Sequence, residues 1–207
     1  MKLGGEIKNI IFDLGGVLLN IDFSLAKNAF AQLGIPDFEK IYAHHAQNRL
    51  FDEFEKGKIS PEKFRKELIK LFGKELTHSQ IDAAWNALLL DFPYERMELL
   101  KKLKTKYRLF LLSNTNAIHI QEVSNILHRT FGYRDMQHVF EKEYYSYNMG
   151  MRKPDPEIFE FVISENKLNP EETVFIDDSS PNIEGAAKTG IKVLHLQSPQ
   201  TILDINF

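Results

Sequence analysis

At 207 residues the chain fits one domain of ordinary size, or one domain carrying a sizeable insertion, and its 43% hydrophobic and 12% aromatic content is enough for a real core. A formal net charge of −3, with acidic and basic residues mixed along the chain, excludes a nucleic-acid-binding stripe and a polybasic membrane anchor. There is no cysteine, which removes disulfides, thiolate metal sites and cysteine nucleophiles.

No apolar run approaches the ~20 residues that a bilayer span needs. Gly4, Gly5, Glu6, Lys8 and Asn9 interrupt any signal-like segment, so a soluble cytoplasmic protein is expected.

In chain order, Ile7 to Phe12 is a short β-branched run and predicts a central strand ending at Asp13, followed by Gly15 and Gly16. From about Asn20 to Leu90 the pattern turns helical. Asp22 or Ser24 can cap a helix through Leu25, Ala29, Phe30 and Leu33 that Gly34 and Pro36 end. Ser60-Pro61 starts another through Phe64, Leu68 and Phe72, stopped by Gly73. Thr77-His78-Ser79-Gln80 is a capping box before Ile81, Ala84, Trp85 and Leu88.

After Pro93, Tyr94 to Lys104 predicts a helix and Arg108 to Leu112 a strand ending at Ser113-Asn114. A helix is expected from about Asn116 to Leu127, and a short third strand from His138 to Glu141. Asp155-Pro156 caps and starts a further helix, Thr173 to Ile176 is a strand leading into Asp177-Asp178, Ser180-Pro181 opens a helix stopped by Gly190, and Ile191 to Leu196 is the last strand. Strands alternating with helices imply right-handed crossovers and an α/β fold, a parallel sheet covered on both faces.

Several polar residues fall where such a sheet binds ligands, at the C-terminal ends of its strands. Asp13 is a candidate nucleophile, because a carboxylate can attack phosphorus and split one displacement into two easier ones. The plainer alternative is an aspartate capping the turn after a strand.

Asp177 and Asp178 repel each other unless a cation or hydrogen-bond donors sit with them. Oxygen-only ligands favour Mg²⁺. The competing use, capping the next helix, is weakened by Ser180, which stands ready for it. Ser113 and Asn114 precede a helix and can cradle an anion. Lys153, held extended by Pro154, suits neutralising a phosphoryl oxygen, although an isolated lysine is ordinarily a solvated surface charge. The histidines lack metal-ligand spacing; His44 and His45 read as surface or cleft residues, Trp85 and the phenylalanines as core, and Tyr144, Tyr145 and Tyr147 as loop residues.

Four segments together resemble the haloacid dehalogenase-like hydrolase superfamily over nearly the whole chain: Phe12-Asp13-Leu14-Gly15-Gly16-Val17, Leu112-Ser113-Asn114, Arg152-Lys153-Pro154 and Ile176-Asp177-Asp178-Ser179. Asn20-Ile21-Asp22, Phe51 and Glu55-Lys56-Gly57-Lys58-Ile59-Ser60 look similar to small bacterial sugar-phosphate phosphatases, the glucose-1-phosphate type included.

The resemblance implies a Rossmann-like core over residues 1–19 and 94–207, with an α-helical cap over 20–93. It implies that Asp13 is both nucleophile and Mg²⁺ ligand, that the Gly15 carbonyl and Asp178 are further ligands, and that Asp177 acts from behind them or through water. Asn182 follows as a supporting polar residue. Gly15, Gly16, Ser113 and Asn114 would hold the phosphoryl group, Lys153 would balance charge, and Asn48 and Arg49 are candidate cap contacts to a small phosphorylated metabolite.

Most phosphatases of that family carry a second aspartate two residues past the nucleophile, as general acid; here that residue is Gly15. A missing acid forfeits ~10²–10⁴ in rate, and a sugar 1-phosphate, with its more acidic leaving hydroxyl, would suffer least. His44, His45 or Glu55 are candidate substitutes.

A 2-haloacid dehalogenase also lacks the second aspartate but needs no metal, which leaves Asp177-Asp178 unexplained. A phosphomutase would keep the missing acid. A receiver module carries its acidic pair on the first strand, the reverse of the order here. A non-catalytic phosphosugar-binding protein is the remaining alternative.

Overall fold

The computed structural model describes residues 6–40, 42 and 50–207. Its centre is a sheet of five parallel strands: β1 (Asn9–Phe12), β2 (Arg108–Ser113), β3 (Lys142–Tyr145), β4 (Thr173–Asp177) and β5 (Lys192–His195), in the order β3-β2-β1-β4-β5. β1 pairs Phe12 with Leu111 on one side and with Ile176 on the other. The chain leaves β1 toward β2 and β3, then returns to the other side for β4 and β5. The strand order therefore reverses at β1, and ligands of open α/β sheets bind at such a point.

The central strands are apolar at successive positions because both sheet faces are covered. Ile10, Phe12, Leu109, Leu111, Val174 and Ile176 pack on one face against α5 (Tyr94–Leu103) and α6 (Ala117–Phe131). Ile11, Phe110, Leu112 and Phe175 pack on the other against α8 (Pro156–Glu165) and α9 (Ser180–Ala187). The alternation follows the two-residue pleat of a strand.

Between β1 and α5 the described residues include the helices α1 (Phe23–Gln32), α2 (Leu50–Glu55), α3 (Pro61–Phe72) and α4 (His78–Asn86). They bury their own cluster, in which Phe54 stacks on Phe64 at 4.0 Å and Phe30 on Phe38 at 4.1 Å, with Trp85 between α4 and the core residue Ile118. Trp85 and these phenylalanines are thus core. Asp22, Ser60 and Thr77 cap α1, α3 and α4 through their side chains, the last as a full capping box, and Gly73 ends α3 in the left-handed conformation.

Three local expectations need correction. The third strand is Lys142–Tyr145, not His138–Glu141: Val139 and Phe140 instead turn back to the Met136 carbonyl and bury in the core, while the charged edge strand follows. Charges on an edge strand block further pairing and also mask its periodicity. Tyr144 and Tyr145 therefore lie on β3 rather than on a loop, and Tyr147 lies in the one-turn α7 (Ser146–Met149). Asp155 occupies the N-cap of α8 but makes no side-chain capping bond.

Candidate active site

The C-terminal ends of β2, β1 and β4 lie side by side. The Asp13 N–H donates to the Ile176 carbonyl at 2.9 Å, continuing the ladder one residue past β1 and setting Asp13 level with Asp177. Ser113, at the end of β2, stands one residue beyond that level. Lys153 comes from the loop between α7 and α8. Its Nζ donates to Asp13 Oδ1 at 2.7 Å, to Asp177 Oδ2 at 2.7 Å and to the Leu112 carbonyl at 3.0 Å. The side chain is 1% exposed, so the surface-charge alternative is excluded.

Two contacts seat that loop. The Asn114 side chain receives the Lys153 N–H and donates to the Lys153 carbonyl. On the other side, Gly185 of α9 lies so near Pro154 that a Cβ there would come within 2.2 Å of the Pro154 carbonyl oxygen.

Asp177 is wholly buried and its carboxylate is saturated. Oδ1 accepts the Ser179 N–H at 2.8 Å, Asn182 Nδ2 reaches both oxygens at 3.2 and 3.1 Å, and Oδ2 takes Lys153. Ser179, not Ser180, is the N-cap residue of α9 and makes no side-chain capping bond, so the bond into this turn comes from Asp177 itself. Of the acidic pair, Asp177 thus holds the turn before the helix rather than capping it, since the N–H it accepts belongs to the N-cap residue and not to the first turn of α9. Asp178, the other member, stands at the open side of the cluster.

Burial, the largest influence on Asp13, raises its carboxyl to about 7; Asp177 adds to the rise while Lys153 and the Leu14 N–H oppose it. Burial alone would lower Lys153, but Asp13 and Asp177 outweigh it and hold the ammonium above its usual range. Burial and then the Asp177 charge raise Asp178.

Carboxylate oxygens of Asp13, Asp177 and Asp178 lie within 4.8 Å of one another. Three carboxylates against one ammonium leave an excess of negative charge that suits a divalent cation, and oxygen-only donors suit Mg²⁺. Because the Asp177 oxygens already hold their donors, Asp13 and Asp178 are the carboxylates left for the metal. Gly16 permits this closeness: it has φ +76°, and a Cβ there would sit 2.2 Å from Asp178 Oδ2.

Above the strand ends opens a cavity of about 590 Å³, lined by Gly15, Ser113, Asn114 and Thr115 from the core side and by Ile21, Phe38, Tyr42, Glu55 and Trp85 from the inserted side. Arg152 and His119 add polar groups to its lining, as do Ser24, Lys27 and Glu39. Arg152 ties the inserted α2 to the Lys153 loop, with Nη1 donating to Asp52 at 3.1 Å and Nη2 3.0 Å from Glu55 Oε2.

His119 stacks on Trp85 at 4.9 Å; its Nε2 meets the Trp85 carbonyl at 3.2 Å and its Nδ1 meets Asn116 Nδ2 at 3.1 Å. That pattern is a neutral ring protonated on Nε2, and burial lowers it to about 4.

Of the residues singled out in the sequence, Asp13, Lys153, Asp177 and Asp178 converge, with Gly16 and Asn182 in contact with the acidic pair and Gly15, Ser113 and Asn114 in the adjoining cavity. The Asn114 side-chain amide is turned onto the main chain of Lys153. Asn48, Arg49, His44 and His45 lie outside the described residues. Sequence reasoning did not find the roles of Gly185, Arg152 and His119. Only the adjacency of Arg152 to Lys153 hinted at one of them.

Among the described residues no helix is long and apolar enough to cross a membrane. A family model described as haloacid dehalogenase-like hydrolase matches residues 7–190. The chain is 36% identical over 186 residues, 90% of each protein, to a D-ribitol-5-phosphate phosphatase of Bacteroides thetaiotaomicron.

A crystal structure of a HAD family enzyme from that organism, wild type in complex with magnesium and inorganic phosphate, has a TM-score of 0.87 at 39% identity, covering 94% of this chain and 96% of that one. An L-2-haloacid dehalogenase from Xanthobacter autotrophicus shares the fold alone, with a TM-score of 0.62 at 18% identity over 92% of this chain and 77% of its own. With its matched span running from β1 to the end of α9, and with an acidic cluster that suits the cation held by its structural relative, the chain belongs to the haloacid dehalogenase-like hydrolase family.

Proposed function

We propose that this enzyme is a Mg²⁺-dependent phosphatase of a small phosphorylated sugar or sugar alcohol, working through an aspartyl-phosphate on Asp13. The observation that carries the reading is the Lys153 ammonium held between Asp13 and Asp177, with Asp178 beside them.

Lys153 binds Asp13 through Oδ1, which orients the carboxylate and leaves Oδ2 to attack phosphorus. Ser113 and the main chain of Asn114 offer donors to the transferring group, and the Lys153 charge counters the charge that develops on it. Asp13, Asp178 and the Gly15 carbonyl would hold Mg²⁺, which supplies further neutralisation of the phosphoryl oxygens. Residues 20–93 act as a cap over the cavity, excluding water from the first step.

The similarity to a ribitol-5-phosphate phosphatase supports an ester of an ordinary primary alcohol as substrate, alongside the sugar 1-phosphates that the absent acid at Gly15 favours. Phosphate release with Mg²⁺ across alditol phosphates, sugar 1-phosphates and sugar 5- and 6-phosphates tests this. Turnover of at least one class, abolished by Asp13→Asn and by chelator, is the expected result. Undiminished turnover in Asp13→Asn would overturn the nucleophile.

A further inference from the structure

An alcohol leaving phosphorus takes the bonding electron pair with it and must gain a proton. No side chain at position 15 can supply one, and a Cβ there would already lie 3.2 Å from Ile21 Cδ1, so an apolar group fills the space beside the nucleophile. A donor on the opposite wall of the cavity can supply the proton.

We propose that Glu55, at the end of α2, is the group that protonates the leaving oxygen and then takes the proton from the attacking water. The inference rests on the phosphatase reading above. Glu55 lines the cavity that also exposes Gly15, Ser113 and Asn114. Its Oε2 is buried, makes no hydrogen bond and lies 3.0 Å from Arg152 Nη2, while the side chain keeps 18% of its surface open. Arg152 therefore anchors the carboxyl without saturating it.

Among the described residues the charged and titratable groups facing it are Arg152, Asp52, Lys56 and Tyr42. Burial raises its pKa, Asp52 adds to the rise, and Arg152 and Lys56 oppose it. Among the described residues, the other titratable groups of the cavity are worse donors. His119 is neutral with both nitrogens engaged, and Glu39 is exposed and paired with Lys27.

In the first step Asp13 Oδ2 bonds to phosphorus, the bond from phosphorus to the alcohol oxygen breaks, and the Glu55 proton moves to that oxygen. In the second, water bonds to phosphorus, the bond to Asp13 breaks, and the Glu55 carboxylate receives the water proton. The sum is ester plus water giving alcohol plus phosphate, with both carboxyl groups restored.

The test compares kcat/KM for an alditol 5-phosphate with that for p-nitrophenyl phosphate, whose leaving phenolate needs no proton, in wild type, Glu55→Gln and Glu55→Asp. The ratio should fall by ~10²–10⁴ in Glu55→Gln. The alkaline limb of the alditol-phosphate pH profile should disappear with it, and Glu55→Asp should recover part of both. Equal losses on the two substrates, as broken packing would produce, or no loss on either, would overturn the role of Glu55 while leaving the phosphatase intact. A wild-type enzyme inactive on both would overturn the phosphatase reading itself.

Discussion

The side-chain amide of Asn114 is bonded twice to the main chain of Lys153, its Nδ2 donating to the carbonyl at 2.8 Å and its Oδ1 accepting the N–H at 2.9 Å. The two residues lie 39 positions apart, yet this pairing acts like one rung of a ladder between the end of β2 and the loop that carries the ammonium. It aims Lys153 at Asp13 before any substrate arrives.

Asn114→Asp keeps the shape but replaces the donor with an acceptor facing the Lys153 carbonyl. Stability should drop by about 1–3 kcal/mol, and kcat for p-nitrophenyl phosphate by about 10²-fold, the usual cost of misplacing a reacting group. Thermal melts and steady-state assays measure the two. A melt shift with unchanged kcat would count against a positioning role.

Lys153→Met would leave Asp13 and Asp177 facing each other in a buried site with no counter-charge. Removing one partner from a buried ion pair costs about 3–5 kcal/mol. Mg²⁺ should recover part of the lost melting temperature, since a divalent cation can replace the missing charge. Differential scanning calorimetry with and without Mg²⁺ checks this; a variant as stable as wild type without metal would refute the electrostatic account.

Gly16→Ala meets two obstacles, a φ of +76° and an added Cβ 2.2 Å from Asp178 Oδ2. The conformation costs about 1–2 kcal/mol. The clash displaces a proposed metal ligand, so Mg²⁺ affinity should weaken by ~10–100-fold, as titration calorimetry would register. Unaltered affinity would argue that Asp178 does not bind the metal.

His119 gives stability a pH dependence. Its folded-state pKa of about 4 lies below the 6.5 of an unperturbed histidine, so the unfolded chain binds the proton first. Its contribution is whole above pH 6.5 and is lost as pH falls through about 4, on the order of 3 kcal/mol from that shift. Denaturant titrations at pH 7.5 and 4.5 should show a smaller acid loss in His119→Gln than in wild type. Parallel losses would mean that the ring is not held neutral by burial.

Much of the architecture was legible because its signals are local. Ile10-Ile11-Phe12, Leu109 to Leu112 and Val174-Phe175-Ile176 are apolar at successive positions, as strands covered on two faces must be, and each ends on a polar residue. Asp22, Ser60 and Thr77 announce helix starts through bonds that span only two or three residues. The edge strand Lys142–Tyr145 was misplaced because an edge strand can carry charge, whereas the nearby Val139 and Phe140 are apolar without being strand.

By itself, then, the sequence determined which side chains arrive at the strand ends, since hydrophobic period and capping chemistry act within a few residues of chain. Only the tertiary structure decided how they divide the work. Asp177 is spent on Lys153, Ser179 and Asn182 while Asp178 stays open, the Asn114 amide turns to Lys153, and Glu55 meets Arg152 from almost a hundred residues away. Those assignments depend on which donors lie within hydrogen-bond reach of which oxygens and on how much water is excluded from each. Both quantities exist only after distant segments have packed.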